Sequence, residues 1–171
     1  TSNYEVALHY TEYSPTFRAD NGFEPQNNMR QVSGDFEVIK RFEKSKVLEY
    51  VAIENSVARK WNFDGVRKDE WISANLEAAF RAAQTGMHAQ YMASNELFRE
   101  NQFNGIWAVH NCISTQPWDA LELDANINYG HRIARYALVM GKQLDYGVTV
   151  TVKPCDRLQL ANSYYYSRSD A

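Results

Sequence analysis

Hydrolysis by side chains alone needs two carboxylates, or a nucleophile and a base, brought to one bond. In this sequence of 171 residues, the polar parity of the alternating segments supplies Glu77, Arg81, Glu122 and Asp124, which would face the lumen if the sheet is a barrel wall. Charged groups on the wet face of a sheet also keep it solvated or cross-link strands without any catalysis. We adopt that reading, expect no enzyme, and assign no catalytic residue. His9, His88, His110 and His131 are scattered without ligand spacing, and Cys112 and Cys155 lack a CxxC or histidine-cluster pattern. The spacing therefore assigns neither a metal nor a cofactor, and both cysteines are expected to be unpaired. Asp20-Asn21-Gly22 with Glu24 offers oxygen ligands but not the spacing of a calcium loop. Arg18 and Asp20 could pair within that loop. GxSxG, P-loop, GxGxxG and HExxH signatures are absent.

Positioning these residues falls to a train of about nine short segments in which apolar and polar residues alternate. The cleanest has Leu121, Leu123, Ala125, Ile127 and Tyr129 on one parity and Glu122, Asp124, Asn126 and Asn128 on the other. Strands are predicted over 3–13, 35–42, 47–61, 71–86, 87–98, 106–118 and 120–129, with later ones around 146–152 and 157–167. Gly130 and Gly141 bracket 133–140. Pro15, Gly22 and Pro25 make 14–28 a long loop, a charged turn lies at 43–46, and Asp64-Gly65 and Asn104-Gly105 read as hairpin turns. Segment 71–86 is rich in helix formers, yet Ile72, Ala74, Leu76, Ala78, Phe80 and Ala82 alternate with Ser73, Asn75, Glu77 and Arg81, which favours a strand.

The chain is all-β by this pattern and long enough for one domain. A net charge of -3 gives no electrostatic reason to bind nucleic acid. No run approaches the roughly 20 apolar residues of a spanning helix. Mean hydropathy of -0.55 does not oppose a membrane barrel, because half of each strand can face water. Trp61 and Trp71, at matching strand ends, suggest an aromatic rim. Alternation alone is compatible with an antiparallel transmembrane β-barrel. It is equally compatible with a soluble secreted or periplasmic β-sandwich or calyx that binds a glycan or hydrophobic ligand. Thr1 opens in polar sequence without a signal segment, so we expect a mature product or, preferably, a piece of a longer chain.

The stretch YTEYSPTFRADNGFEPQNNMR, with Phe17, Arg18, Asp20, Gly22, Phe23 and Pro25, resembles the Asp/Ser-x-x-Phe-Arg-x-Asp-x-Gly-Phe-x-Pro-x-x-x-x-Arg signature of a bacterial outer-membrane barrel family. That family is a domain of unknown function usually found C-terminal to a carbohydrate-binding family 9-like β-sandwich. Trp61 to Gly65, Lys153-Pro154 with Asp156-Arg157-Leu158, and the Tyr-rich close are similar to its later hairpins. Cys155 stands where a small polar residue is expected. The resemblance implies that residues 1–171 are one segment of a larger barrel in the bacterial outer membrane, a pore, anchor or surface-assembly platform with a glycan connection. The partners it implies are outer-membrane lipid, the remaining strands, an N-terminal sandwich and other envelope proteins. No sugar-binding residue carries over.

Overall fold

The computed structural model describes residues 2–18, 27–155 and 157–170. It is one antiparallel sheet of nine strands in sequence order, with no α-helix among the described residues. The strands are β1 (Ser2–Tyr13), β2 (Met29–Arg41), β3 (Leu48–Trp61), β4 (Arg67–Phe80), β5 (Thr85–Phe98), β6 (Asn101–Trp118), β7 (Leu121–Ala134), β8 (Val139–Cys155) and β9 (Leu158–Asp170). Each pairs with its sequence neighbours, and β1 and β9 remain as edges, so the sheet is not closed. Lengths run from 12 residues in β1 to 18 in β6, two to three times the common length of about 5–6 in globular proteins.

The turns account for most differences from the sequence expectations. Asn62 builds the β3–β4 turn as expected: its backbone N–H donates to Val66 O at 2.9 Å and its side-chain Oδ1 accepts from Val66 N at 2.8 Å. Gly65 supplies the positive φ of 81°. Segment 71–86 is a strand, but only to Phe80. Residues 81–84 then reverse the chain, with Ala83 and Gln84 at φ 52° and 44°. Neither residue type advertises a turn.

Asn104-Gly105 is not a hairpin turn. The reversal occurs at Arg99 and Glu100, with φ 47° and 67°, a pair with no Gly or Asn to signal it. Asn104 and Gly105 instead form a β-bulge, where the register slips between Ser94 and Glu96. Gly105 takes φ 68° and donates its N–H to Asn95 Oδ1 at 2.8 Å. Segment 133–140 likewise spans the β7–β8 reversal, with Leu138 at φ 55°. β2 starts at Met29, earlier than position 35, because β1 zips onto it from Tyr13 opposite Met29 to Ser2 opposite Lys40.

The described residues form one layer with no second sheet to pack on, and no large side chain among them is fully buried. The more covered face of the sheet is the polar one. In β4, Ser73 is 7% exposed whereas Ile72 and Leu76 are 53% and 50% exposed.

Strand contact is closest where Gly130 of β7 faces Ala108 of β6. A Cβ on Gly130 would overlap the Trp107 carbonyl oxygen and Ala108. Gly130→Ala is expected to destabilise the folded protein by about 1–3 kcal/mol, the range for overpacking. Gly86→Ala, where a Cβ meets nothing within 4 Å, should be near neutral. Denaturant midpoints of the two variants check this, and equal midpoints would count against the β6–β7 register.

Candidate functional site

Register assigns every strand residue to one of two faces. On one, Tyr4, Val38, Ile53, Leu76, Ala89, Asn111, Ile127, Tyr146 and Tyr166 follow one another across all nine strands. Val6, Val57, Ile72, Met87, Tyr91, Ile113, Val148 and Tyr164 lie on the same side, and all of these are exposed. A shallow groove of about 450 Å³ runs over this face between Leu76, Met87, Ile113 and Ile127, floored by Ala78 and Ala89.

On the other face an unbroken polar row crosses the sheet: Glu5, Glu37, Glu54, Asn75, Gln90, His110, Asn128, Asp145 and Ser167. From His110 onward its groups bind one another and their neighbours on the same face, whereas Asn75 Oδ1 is buried without a hydrogen-bond partner. His110 Nδ1 bonds Asn128 Oδ1. Gln143 Nε2 donates to Asp145 Oδ2 at 2.6 Å, Ser167 Oγ donates to Asp145 Oδ1 at 2.6 Å, and Arg132 donates to Gln143. Ser56 and Ser73 hydroxyls share a 2.8 Å bond one row away.

Glu77, Glu122 and Asp124 all lie on this polar face. Glu77 accepts a hydrogen bond from the Tyr50 hydroxyl at 3.1 Å, Glu122 lies 3.8 Å from Lys153 Nζ, and Asp124 faces Ser114 and Thr149. Two strands separate Glu77 from Asp124, so at about 4.8 Å per strand spacing they stand roughly 14 Å apart, beyond the reach of a carboxylate pair. Arg81 is not in a strand. It opens the β4–β5 turn, where its N–H bonds Val47 O at 2.8 Å and its Nε donates to Ser45 O at 3.1 Å, tying that turn to the β2–β3 turn.

In the motif at 17–25, Phe17 stacks on Tyr13 with ring centroids 5.0 Å apart, and its N–H donates to Ser14 O at 3.1 Å. Arg18 follows it. Asp20, Gly22, Phe23 and Pro25 lie outside the described residues, as does the Arg18–Asp20 pair. Trp61 and Trp71 do not form one girdle. Trp61 shares the face of Val57 and Arg59, whereas Trp71, opposite Ala58, lies on the polar face with Ser73. The register of the β3–β4 hairpin has separated them.

The sheet end that carries the β1–β2, β3–β4, β5–β6 and β7–β8 connections is ionic. Arg59 and Arg67 reach Glu70 at 2.8 and 3.0 Å, and Lys60 lies 3.5 Å from Asp69. Arg135, in the β7–β8 turn, pairs with Glu96 and lies 4.7 Å over the Phe98 ring. The hydrogen bond to Glu96 raises its pKa further above the ordinary value. Arg30 covers Phe63 at 4.0 Å.

Chain spacing missed one grouping altogether: His88, His110 and Cys112 come together across the β5–β6 ladder. Both cysteines are free, as expected, with Cys112 half-buried and Cys155 exposed. No protein-family model matches the chain, and neither does any curated protein or solved structure. Titration of the unreduced, unfolded protein should report two thiols. In the folded state the exposed Cys155 should react with a water-soluble maleimide well before the half-buried Cys112, and the reverse order would contradict the burial of Cys112 at the β5–β6 ladder.

Proposed function

We propose that this chain is a wall segment of a bacterial outer-membrane β-barrel, with its apolar face toward lipid and its polar face lining an aqueous lumen. The observation that carries the reading is the inverted cover of the sheet. Exposed apolar side chains span nine strands on one side, while the most buried strand positions, among them Ala52, Ala58, Ser73 and Thr151, lie on the other. Water does not tolerate an apolar surface of that extent, whereas hydrocarbon selects for it.

Three further features support it. Strands of 12 to 18 residues exceed the roughly 9–11 that a tilted strand needs to cross a bilayer. In β4 the apolar run from Ile72 to Phe80 covers roughly 26 Å at about 3.3 Å per residue, close to the apolar band of about 25 Å in such barrels. Glu5, Glu37 and Glu54 follow one another on three adjacent strands of the polar face. Like charges so placed repel by only about 1 kcal/mol in water but by several times that in a dry interior, so this face favours an aqueous lumen.

Open strand edges are not viable in hydrocarbon, so further strands must close the ring. A ring with more than these nine strands is wider than the eight-stranded barrels whose interior side chains fill completely. That favours a water-filled pore over a solid anchor. The ionic, aromatic-rich end beside the 14–28 connection suits a headgroup interface, where long loops usually face outward. A glycan connection rests on the sequence resemblance alone.

Leu76→Arg should weaken folding into lipid vesicles by about 2–4 kcal/mol, the cost of a cation on the lipid face at mid-depth, while Asn75→Arg changes it far less. Equilibrium folding into vesicles measures both. If Asn75→Arg is the more damaging, the faces are reversed and the proposal fails.

A further inference from the structure

Three side chains of ligand type converge on the polar face where β5 meets β6. His88 and Cys112 oppose each other directly across the ladder, and His110 stands on the same face of β6, two residues before Cys112. Their ligand atoms all lie within 4.8 Å of one another, and the two imidazole centroids are 5.7 Å apart. All three side chains are half-buried, and the thiol is free.

We propose that His88, His110 and Cys112 form a binding site for a borderline-soft transition-metal ion, with zinc the first candidate. Two imidazoles and a thiolate suit zinc and exclude the oxygen-seeking calcium and magnesium ions. In a tetrahedral zinc site with bonds of about 2.0–2.3 Å, ligand atoms stand roughly 3.3–3.8 Å apart. The cluster, with its ligand atoms all within 4.8 Å of one another, stands close to that spacing.

The neighbouring residues fit a ligand role. An amide oxygen can only accept, so the bond between His110 Nδ1 and Asn128 Oδ1 fixes the proton on Nδ1 and leaves the Nε2 lone pair free for a metal. An outer partner of this kind orients metal-binding histidines generally. On binding, the Cys112 sulfur–hydrogen bond breaks, its proton passes to solvent, and the sulfur–metal bond forms. Two neutral imidazoles and one thiolate leave a net charge of +1 on a bound Zn²⁺. Glu77, across the β4–β5 ladder from His88, supplies negative charge on the same face.

Three protein ligands leave a fourth position for solvent or an incoming donor, the pattern of open rather than closed zinc sites. Nor is the site a staple. It joins two strands already linked by the two-residue turn at 99–100, so it closes little additional loop. Its chemistry is capture of a metal ion on the polar wall. The proposal rests on the β5–β6 register and holds whatever covers the apolar face.

Cobalt(II) is the probe, added to reduced, tag-free, full-length protein folded in detergent or vesicles. One equivalent should give tetrahedral d–d bands and a thiolate-to-cobalt charge-transfer band, both removed by one equivalent of zinc. Cys112→Ser should abolish the charge-transfer band, His110→Gln should weaken binding at least as strongly as the outer variant, and Asn128→Ala should weaken it about 10–100-fold. Cys155→Ser should bind as the parent does. A charge-transfer band that survives Cys112→Ser or disappears in Cys155→Ser would overturn the site. So would the lack of any cobalt band in protein whose far-ultraviolet circular dichroism shows the sheet intact.

Discussion

The ladder of backbone hydrogen bonds between consecutive strands is the constraint on which the rest of this molecule depends. With a single layer and no large side chain fully buried among the described residues, the sheet has only a small buried apolar set, Met29, Ala52, Ala58, Phe103 and Ile106. In water each such bond contributes only about 0.5–1.5 kcal/mol net, because the unfolded backbone is also bonded. In hydrocarbon an unmade bond costs several kcal/mol. A structure held largely by ladders is consistent with the proposed lipid setting. The register that satisfies the backbone also decides which side chains share a face.

Two consequences follow from that register. Apolar side chains collect on one side, with nothing among the described residues to cover them. On the other side polar groups bind across strands, Asn128 with His110, Ser167 with Asp145 and Ser56 with Ser73, and within β8, Gln143 with Asp145. The acidic trio Glu5, Glu37 and Glu54 at one edge and the Asp145 network near the other give this face a sign that changes little across its width. Ion pairs of Arg59 and Arg67 with Glu70 and of Arg135 with Glu96 gather at one end of the sheet, while Arg132 joins the polar network beside Asp145.

The alternation was legible in the sequence because a period of two needs only the order of residues. It gave the face of Leu121 to Tyr129, the strand character of Leu76 and its neighbours, and the shared side of Glu77, Glu122 and Asp124. What it could not give was register, which depends on where each turn falls. Asn62 to Gly65 turns where its residue types say it should. At Arg99-Glu100 and Ala83-Gln84 ordinary residues take positive φ because the paired strands force them to. Reading the turn at Asn104-Gly105 would have set Leu97 opposite Cys112. The true reversal sets His88 there. The histidine–cysteine cluster was thus hidden by a turn with no turn residues, and Arg81 was placed in a strand for the same reason.

The central claim is that the face bearing Leu121, Leu123, Ala125, Ile127 and Tyr129 meets lipid. Spin labels placed singly at positions 121–129 of the membrane-reconstituted protein, with relaxation by oxygen and by a water-soluble nickel chelate, test it most directly. The account predicts two opposed alternations: odd positions accessible to oxygen and shielded from nickel, even positions the reverse. Odd positions shielded from both reagents would mean that protein covers this face, and the barrel-wall account would be wrong.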